Sequence, residues 1–219
     1  MEQFSKTELN QVKRGPKRAS YDVAQINAIL DAGFMCNVGY VWQGKAIVIP
    51  TAYVRINNEI YLHGSLKNRM MLALLEAGEG SISVTHLDGL VLARSAFHHS
   101  VNYRSVNVFG SVRMVINPAE KMHALEEFTN HVLPGRWDDV RPPNKKEFEA
   151  TLFIAVRIDA ASAKVRAEGV NDEKFDHDGP HWAGVVPLRT VASAPESDPE
   201  LANDIPVPKS VHDYVTAMG

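Results

Sequence analysis

The sequence predicts a mainly β fold with helices, a small closed or split antiparallel β-barrel. Three observations carry this expectation. Alternating apolar runs of strand length follow one another across short turn signals at Gln43–Lys45, Asn57–Asn58 and Asp88–Gly89. Helical periodicity interrupts them only occasionally, so the regular strand–helix alternation of a doubly wound sheet is missing. Neither GxGxxG after a strand nor GxxxxGK[ST] occurs, which removes the main support for a Rossmann or P-loop architecture. With 219 residues, 45% apolar and 22% charged, the composition is that of a globular protein large enough to need no covalent staples. One domain is expected over residues 21–190, with a polar arm at 1–20 and an extended tail at 191–219.

Along the chain, the arm gathers Lys13, Arg14, Lys17 and Arg18. "YDVAQINAILDAG" places Val23, Ile26, Ile29 and Leu30 at helical spacing, with Gly33 as a stop. Strands follow over 34–42, 46–55 and 59–63; "QGK" is a tight turn and "NN" a hairpin turn, because Asn tolerates positive φ. "KNRMMLALLEAG" is a short helix that Ser65 is placed to cap and Gly78 to end. "SISVTHLDGLVLARSAF" alternates on both sides of Asp88–Gly89, which predicts a hairpin there. "SVNVFGSVRMVI" is a further strand. "NPAEKMHALEEFTNHVL" is an amphipathic helix with Asn117 as N-cap and Pro118 in its first turn. "PGRWDDVRPPNKKE" is a loop, and "TLFIAVRIDAASAKVR" one long strand. The segment after Pro187, rich in Pro, Ser and Asp, is expected to run extended over the surface or a partner.

Charge and motif content exclude several function classes. A net charge of -3 gives no reason to expect nucleic acid or an anionic membrane as partner, and no apolar run reaches membrane-spanning length. The opening "MEQFSKTELNQVKRG" lacks the apolar stretch of a signal peptide, and Cys36 is the single cysteine, so a reduced, cytoplasmic setting is expected. Cys36 itself reads as a small buried residue. HExxH, CxxC, EF-hand and GxSxG patterns are absent, and the nine histidines are scattered. His98 and His99, if on a strand, point to opposite faces and cannot share one metal, so no metal is expected.

Two basic clusters at strand ends remain. In "HGSLKNR" a strand ends at His63, Gly64 allows a sharp turn, and a helix begins among Ser65, Lys67, Asn68 and Arg69. Helix N-termini present free N–H groups and a positive dipole end, and Arg can fork onto phosphate oxygens. In "NYRSV", Asn102, Tyr103, Arg104 and Ser105 precede a strand at the same kind of rim. A phosphorylated ligand shared by both clusters is the expectation, set against two ordinary polar loops.

The order "IVIPTAY … IYLHGSLKNR … DGLVLARSAFHHSVNYRSVNVFG … PGRW … SAKVR … WAGVVPL" resembles the pyridoxamine 5′-phosphate oxidase-like, FMN-binding split-barrel family, in particular its flavin-nucleotide-binding branch with the nitroimidazole-resistance proteins. The resemblance covers roughly residues 14–190. It implies a six-stranded antiparallel Greek-key split barrel and a homodimer with FMN at the interface. It further implies that Val48, Ile49, Pro50 and Thr51 face the flavin ring, that Leu62 and His63 end the strand beside it, and that Asn68 and Arg69, with Lys67, grip the phosphate. Ser105 matches a flavin-contacting position, Trp182 a late tryptophan reaching the site from the other subunit, and Arg136 and Trp137 lie near the opposite flavin. Tyr103 and Arg104 would orient the phosphate or an anionic substrate. The sequence departs from the oxidase at Met70, where a lysine is expected, at the short Ser105, and in lacking the C-terminal arginine signature that grips the pyridoxal substrate.

The function these features imply is an FMN-dependent oxidoreductase acting on a small molecule, in which the flavin carries the redox chemistry and His63 is the best candidate for a proton donor. The alternatives are a non-catalytic flavin-binding module, and a split barrel that holds haem or a deazaflavin.

Overall fold

Local turn chemistry sets the frame of the computed structural model, which describes residues 2–202 and 205–219. The chain enters through a short strand β1 (Ala19–Ser20) and helix α1 (Val23–Asp31), capped by the Asp22 carboxylate, which accepts from the Gln25 N–H at 2.8 Å. Gln43 and Gly44 both take positive φ, 51° and 73°, the geometry that matches the twist of a two-residue hairpin. They join β2 (Met35–Trp42) to β3 (Lys45–Ala52). Asn57 at φ 54° turns β4 (Val54–Ile56) into β5 (Glu59–Ser65). Helix α2 (Arg69–Ala77) then ends on Gly78 in the left-handed region.

The Asp88–Gly89 hairpin does not form. β6 runs unbroken from Glu79 to Leu92, and Asp88 is the extra residue of a β-bulge, with Leu87 opposite Tyr103 and Gly89 opposite Asn102. Gly89 avoids positive φ; its lack of a side chain serves instead the close approach of β10 (Gly184–Pro187), since a Cβ there would lie 3.1 Å from the Val186 carbonyl oxygen. The actual connection is the Ala93–His99 loop, which leads into β7 (Ser100–Met114). The second correction concerns residues 151–166, which form two strands, β8 (Thr151–Arg157) and β9 (Ala160–Arg166), rather than one. The turn between them crosses directly over Gly110 of β7: a Cβ at Gly110 would stand 1.5 Å from the Arg157 carbonyl oxygen.

Helix α3 (Pro118–Val132) starts at the expected Asn117 cap. The expected loop after it contains α4 (Lys145–Glu149), closed by a capping box between Asn144 and Glu147. The expected extended tail carries a C-terminal helix, α5 (Lys209–Met218).

Among the described residues ten strands, all paired antiparallel, make a mainly β fold in the order β3-β2-β6-β7-β8-β5-β4, with β10 on β6, β9 on β7 and β1 on β9. One apolar core fills the space between these strands, α1 and α2, with Ile26, Leu30, Val38, Leu62, Met71, Leu74 and Ile154 fully buried. A second, smaller core lies on the other face of β5 and β8, where Tyr61 and Phe153 meet α3. The N-terminal segment is tied to the body: Asn10 is buried and its amide donates to the Ala161 carbonyl at 3.1 Å. No described helix is long and apolar enough to cross a membrane.

Candidate functional site

The start of α2 is built by Asn68. Its side chain accepts from the Met71 N–H at 3.1 Å, so Asn68, and not Ser65, is the N-cap. Ser65 ends β5, and its hydroxyl accepts from the Lys67 N–H at 3.2 Å, which tightens the turn ahead of the helix. Gly64 leaves room for this turn: a Cβ there would lie 3.0 Å from Asn68 Nδ2 and 3.1 Å from Met71 Sδ. Lys67 and Arg69 are exposed. The Arg69 guanidinium lies over the Trp42 ring, 4.6 Å from its centroid. Among the described residues neither Lys67 nor Arg69 has a carboxylate within ion-pair distance.

Arg69, Ala73 and Ala77 recur every fourth residue and share one face of α2. Ala73 and Ala77 line a cavity of about 640 Å³ whose other wall is the β2–β3 hairpin, with Tyr40, Val41, Ala46 and Val48. Strand register explains its floor. Val48, Gly39, Ser81, Phe109 and Ala160 lie side by side across β3, β2, β6, β7 and β9, and three of these five are Gly, Ser or Ala. Gly39 is required, since a Cβ would approach Ser81 Oγ to 2.9 Å. The next row holds Pro50, Asn37, Ser83, Asn107 and Ser162, and the one after it Thr85, Ser105 and Lys164. The outer face of this sheet is thus a shallow, small-residue surface with a cationic side chain on the α2 face beside it.

The structure brings Ser65, Lys67, Asn68 and Arg69 together and sets Val48 and Pro50 on the adjoining outer face. Ile49 and Thr51 alternate to the half-buried side of β3. Leu62 is fully buried in the first core and offers a ligand no side-chain surface. His63 points the other way from Leu62. Its ring stacks on Phe153 at 5.2 Å and meets Phe128 of α3 edge-on at 4.4 Å, and burial holds its pKa below the ordinary histidine value. Arg104 is committed to Asp88, with Nε at 2.9 Å and Nη2 at 2.8 Å from the two carboxylate oxygens; these hydrogen bonds raise its pKa. Ser105 donates to the Lys164 carbonyl at 3.3 Å, and Tyr103 sits opposite Arg166 and Leu87 on the outer face.

Trp182 precedes β10, which pairs with the Leu92 end of β6, whereas α2 leads into the Glu79 end. The fourteen-residue β6 separates the two by roughly 40 Å. Arg136 and Trp137 form a 3₁₀ turn after α3, against α5. Within one chain, therefore, neither Trp182 nor the Arg136–Trp137 turn belongs to the α2 cluster.

Two residues of the site escaped the sequence. Trp42 reads as the last residue of a strand, and nothing local announces that it will carry Arg69. Tyr40 lines the cavity, yet its hydroxyl is buried without a hydrogen-bond partner among the described residues. Cys36 behaves as expected: burial pushes its thiol up to about 12, so it stays protonated and packs.

A family model described as Pyridoxamine 5'-phosphate oxidase matches residues 22–165. The flavocytochrome Anf3 from Azotobacter vinelandii is 37% identical and superposes with a TM-score of 0.89 over 95% of this chain and 97% of its own. The FAD and haem binding protein from Mycobacterium smegmatis is 34% identical, with a TM-score of 0.85 over 90% of this chain and 97% of its own. A 5-nitroimidazole antibiotic resistance protein from Bacteroides thetaiotaomicron, 22% identical with a TM-score of 0.58, shares the fold over 67% of this chain and 86% of its own. No curated protein matches the chain. Taken with the antiparallel sheet and the α2 turn, the match over residues 22–165 and these likenesses establish that the chain belongs to the pyridoxamine 5′-phosphate oxidase-like family of split barrels.

Proposed function

We propose that this protein is a flavin- and haem-binding oxidoreductase that works as a homodimer. The observation that carries the reading is a cationic helix start without a carboxylate partner, beside a small-residue sheet face, in a chain whose near full-length relatives are named as a flavocytochrome and as an FAD and haem binding protein. A six-stranded Greek-key split barrel is the arrangement proposed for the core-lining strands, supported by their wholly antiparallel pairing. The flavin phosphate lies at Asn68 and Arg69, where free N–H groups, the helix dipole and a guanidinium converge. The ring lies along Val48 and Pro50, where small neighbours leave a flat surface. FMN and FAD share the riboflavin 5′-phosphate that this site recognises. When bound, the flavin supplies two-electron chemistry; the chain binds it, orients it and excludes water.

Vitamin B6 oxidation is not part of the proposal, since the arginine signature for that substrate is absent. A homodimer is supported by the outer face, where Val41 and Val48 are each about two-thirds exposed, at 65% and 66%. The test is the visible spectrum of purified protein, followed by the mass of the released flavin. Flavin bands together with a Soret band are expected, and the mass assigns FMN or FAD. Colourless protein that takes up neither FMN nor FAD overturns the flavin reading. Flavin that no nicotinamide or other donor reduces would leave a binding module without turnover.

A further inference from the structure

We infer that haem binds at the end of the molecule formed by the Ala93–His99 loop and the segment 172–182, with its iron ligated from the His177–His181 turn. The inference rests on the haem reading above and locates its site. Nine histidines are available, and the structure sorts them. His63 is packed between Phe128 and Phe153, His86 is bonded to the Ile29 carbonyl oxygen and His131 to that of Gly33. His123 lies on α3 near Glu127, and His212 on α5. The remaining four, His98, His99, His177 and His181, belong to the two segments at this one end. Of these, His99 is bonded to the Ser95 carbonyl oxygen, and His98 lies 3.8 Å from a Glu173 carboxylate oxygen. His177 and His181 are exposed and their rings have no hydrogen-bond partner among the described residues (the His177 backbone N–H donates to the Lys174 carbonyl), so their ring nitrogens are available to a metal.

Two further observations fit a porphyrin here. Phe97, Phe175 and Trp182 are 87%, 79% and 68% exposed, large aromatic surfaces for a single chain to leave in water. A porphyrin needs such apolar faces on either side of its plane. The two segments are also fixed to each other. The Asp172 carboxylate, fully covered, accepts from the Arg94 N–H at 3.1 and 3.2 Å and from Arg94 Nη1 at 2.9 Å. Arg94 Nε remains buried and unpaired, a donor suited to a propionate. Finally, the family model ends at residue 165, whereas the two relatives named for haem extend over 95% and 90% of this chain. Their likeness therefore reaches into the segment that carries His177 and His181.

The test is titration of haem-depleted full-length protein with haemin, read by the Soret band and by EPR of the ferric iron. The wild type is expected to saturate. His177→Gly or His181→Gly should weaken binding at least about tenfold or change the spin state. Free imidazole should restore the spectrum, which a merely structural role would not allow. His212→Ala serves as control, and retained flavin bands show that each variant is folded. If the wild type takes up no haemin, both the haem reading and this site fail. If the wild type binds and both glycine variants and their double variant bind with unchanged spectra, this site is overturned while the haem reading stands.

Discussion

Two arginines that the sequence places on equal terms separate sharply in the structure. Arg104 is forked onto Asp88, sixteen positions away in the chain, while Arg69 rests on Trp42 with no carboxylate near it. A guanidinium already neutralised by a bidentate carboxylate has little to give a phosphate, so Arg69 should carry the flavin phosphate and Arg104 should not. Arg69→Ala is expected to weaken flavin binding by about 10- to 100-fold, the loss of a charged hydrogen bond of about 1.5–3 kcal/mol. Fluorescence titration reads this, and the melting temperature without flavin should barely move. Wild-type affinity in Arg69→Ala would remove Arg69 from the site. His63 makes a different kind of prediction. Burial lowers its folded pKa below its ordinary value of 6.5, so in acid the unfolded chain binds the proton more readily. The neutral ring's contribution is fully present above 6.5 and is lost as pH falls from there toward the folded pKa. His63→Phe, which keeps the aromatic packing against Phe128 and Phe153, should flatten the fall in stability between about pH 7.5 and about pH 5. Urea unfolding at both pH values tests it; an unchanged slope would mean that His63 does not titrate this way.

At the scale of elements, what could be read locally was read well, and what depended on distant chain was not. Gln43–Gly44, Asn57, the Asn117 cap and Gly78 act through their own φ and hydrogen bonds, so the sequence announces them. Asp88–Gly89 carries the same letters as a hairpin turn, but β10, almost a hundred residues later, pairs along the free edge of β6, and the strand continues through Asp88 as a bulge. The division of β8 from β9 was likewise hidden, because its cause is a crossing over Gly110, and alternation along one strand cannot report what lies above it. Of the candidate site, the Ser65–Arg69 turn was legible because it is contiguous. The cavity was not, because its floor is assembled from single residues of five strands. Gly110 gives the test at this scale. A methyl group 1.5 Å from the Arg157 carbonyl oxygen meets backbone on both sides, with no flexible side chain to yield. Gly110→Ala should therefore destabilise the protein by about 3 kcal/mol or more, at the upper end for an overpacked site. A urea midpoint equal to that of the wild type would show that β7 and the β8–β9 turn are not locked together.

For the whole molecule, the question is why a well-filled barrel leaves one face bare. The two cores bury the inner sides of the strands, yet Val41 and Val48 stand open on the outer face beside Gly39 and Ser81. Small neighbours make this face flat, and a flat, partly apolar sheet face is suited to a copy of itself across a two-fold axis. The same arrangement resolves the distance between Arg69 and Trp182. Within one chain they stand at opposite ends of β6, whereas antiparallel juxtaposition of two copies would bring the Trp182 end of one toward the Arg69 end of the other. Dimerisation and flavin binding should then fail together. Val41→Arg places a charge in the proposed contact, off the Val48–Pro50 surface assigned to the ring and without touching either core, and it should weaken self-association at least about 100-fold, or about 2.7 kcal/mol. Sedimentation at micromolar concentration would then find the wild type at twice the chain mass and the variant at the chain mass. Flavin affinity should drop in the variant even though Asn68 and Arg69 are intact, and the far-ultraviolet spectrum should be unchanged. A variant that remains dimeric and binds flavin as the wild type does would place the subunit contact, and with it the second half of the site, on another face.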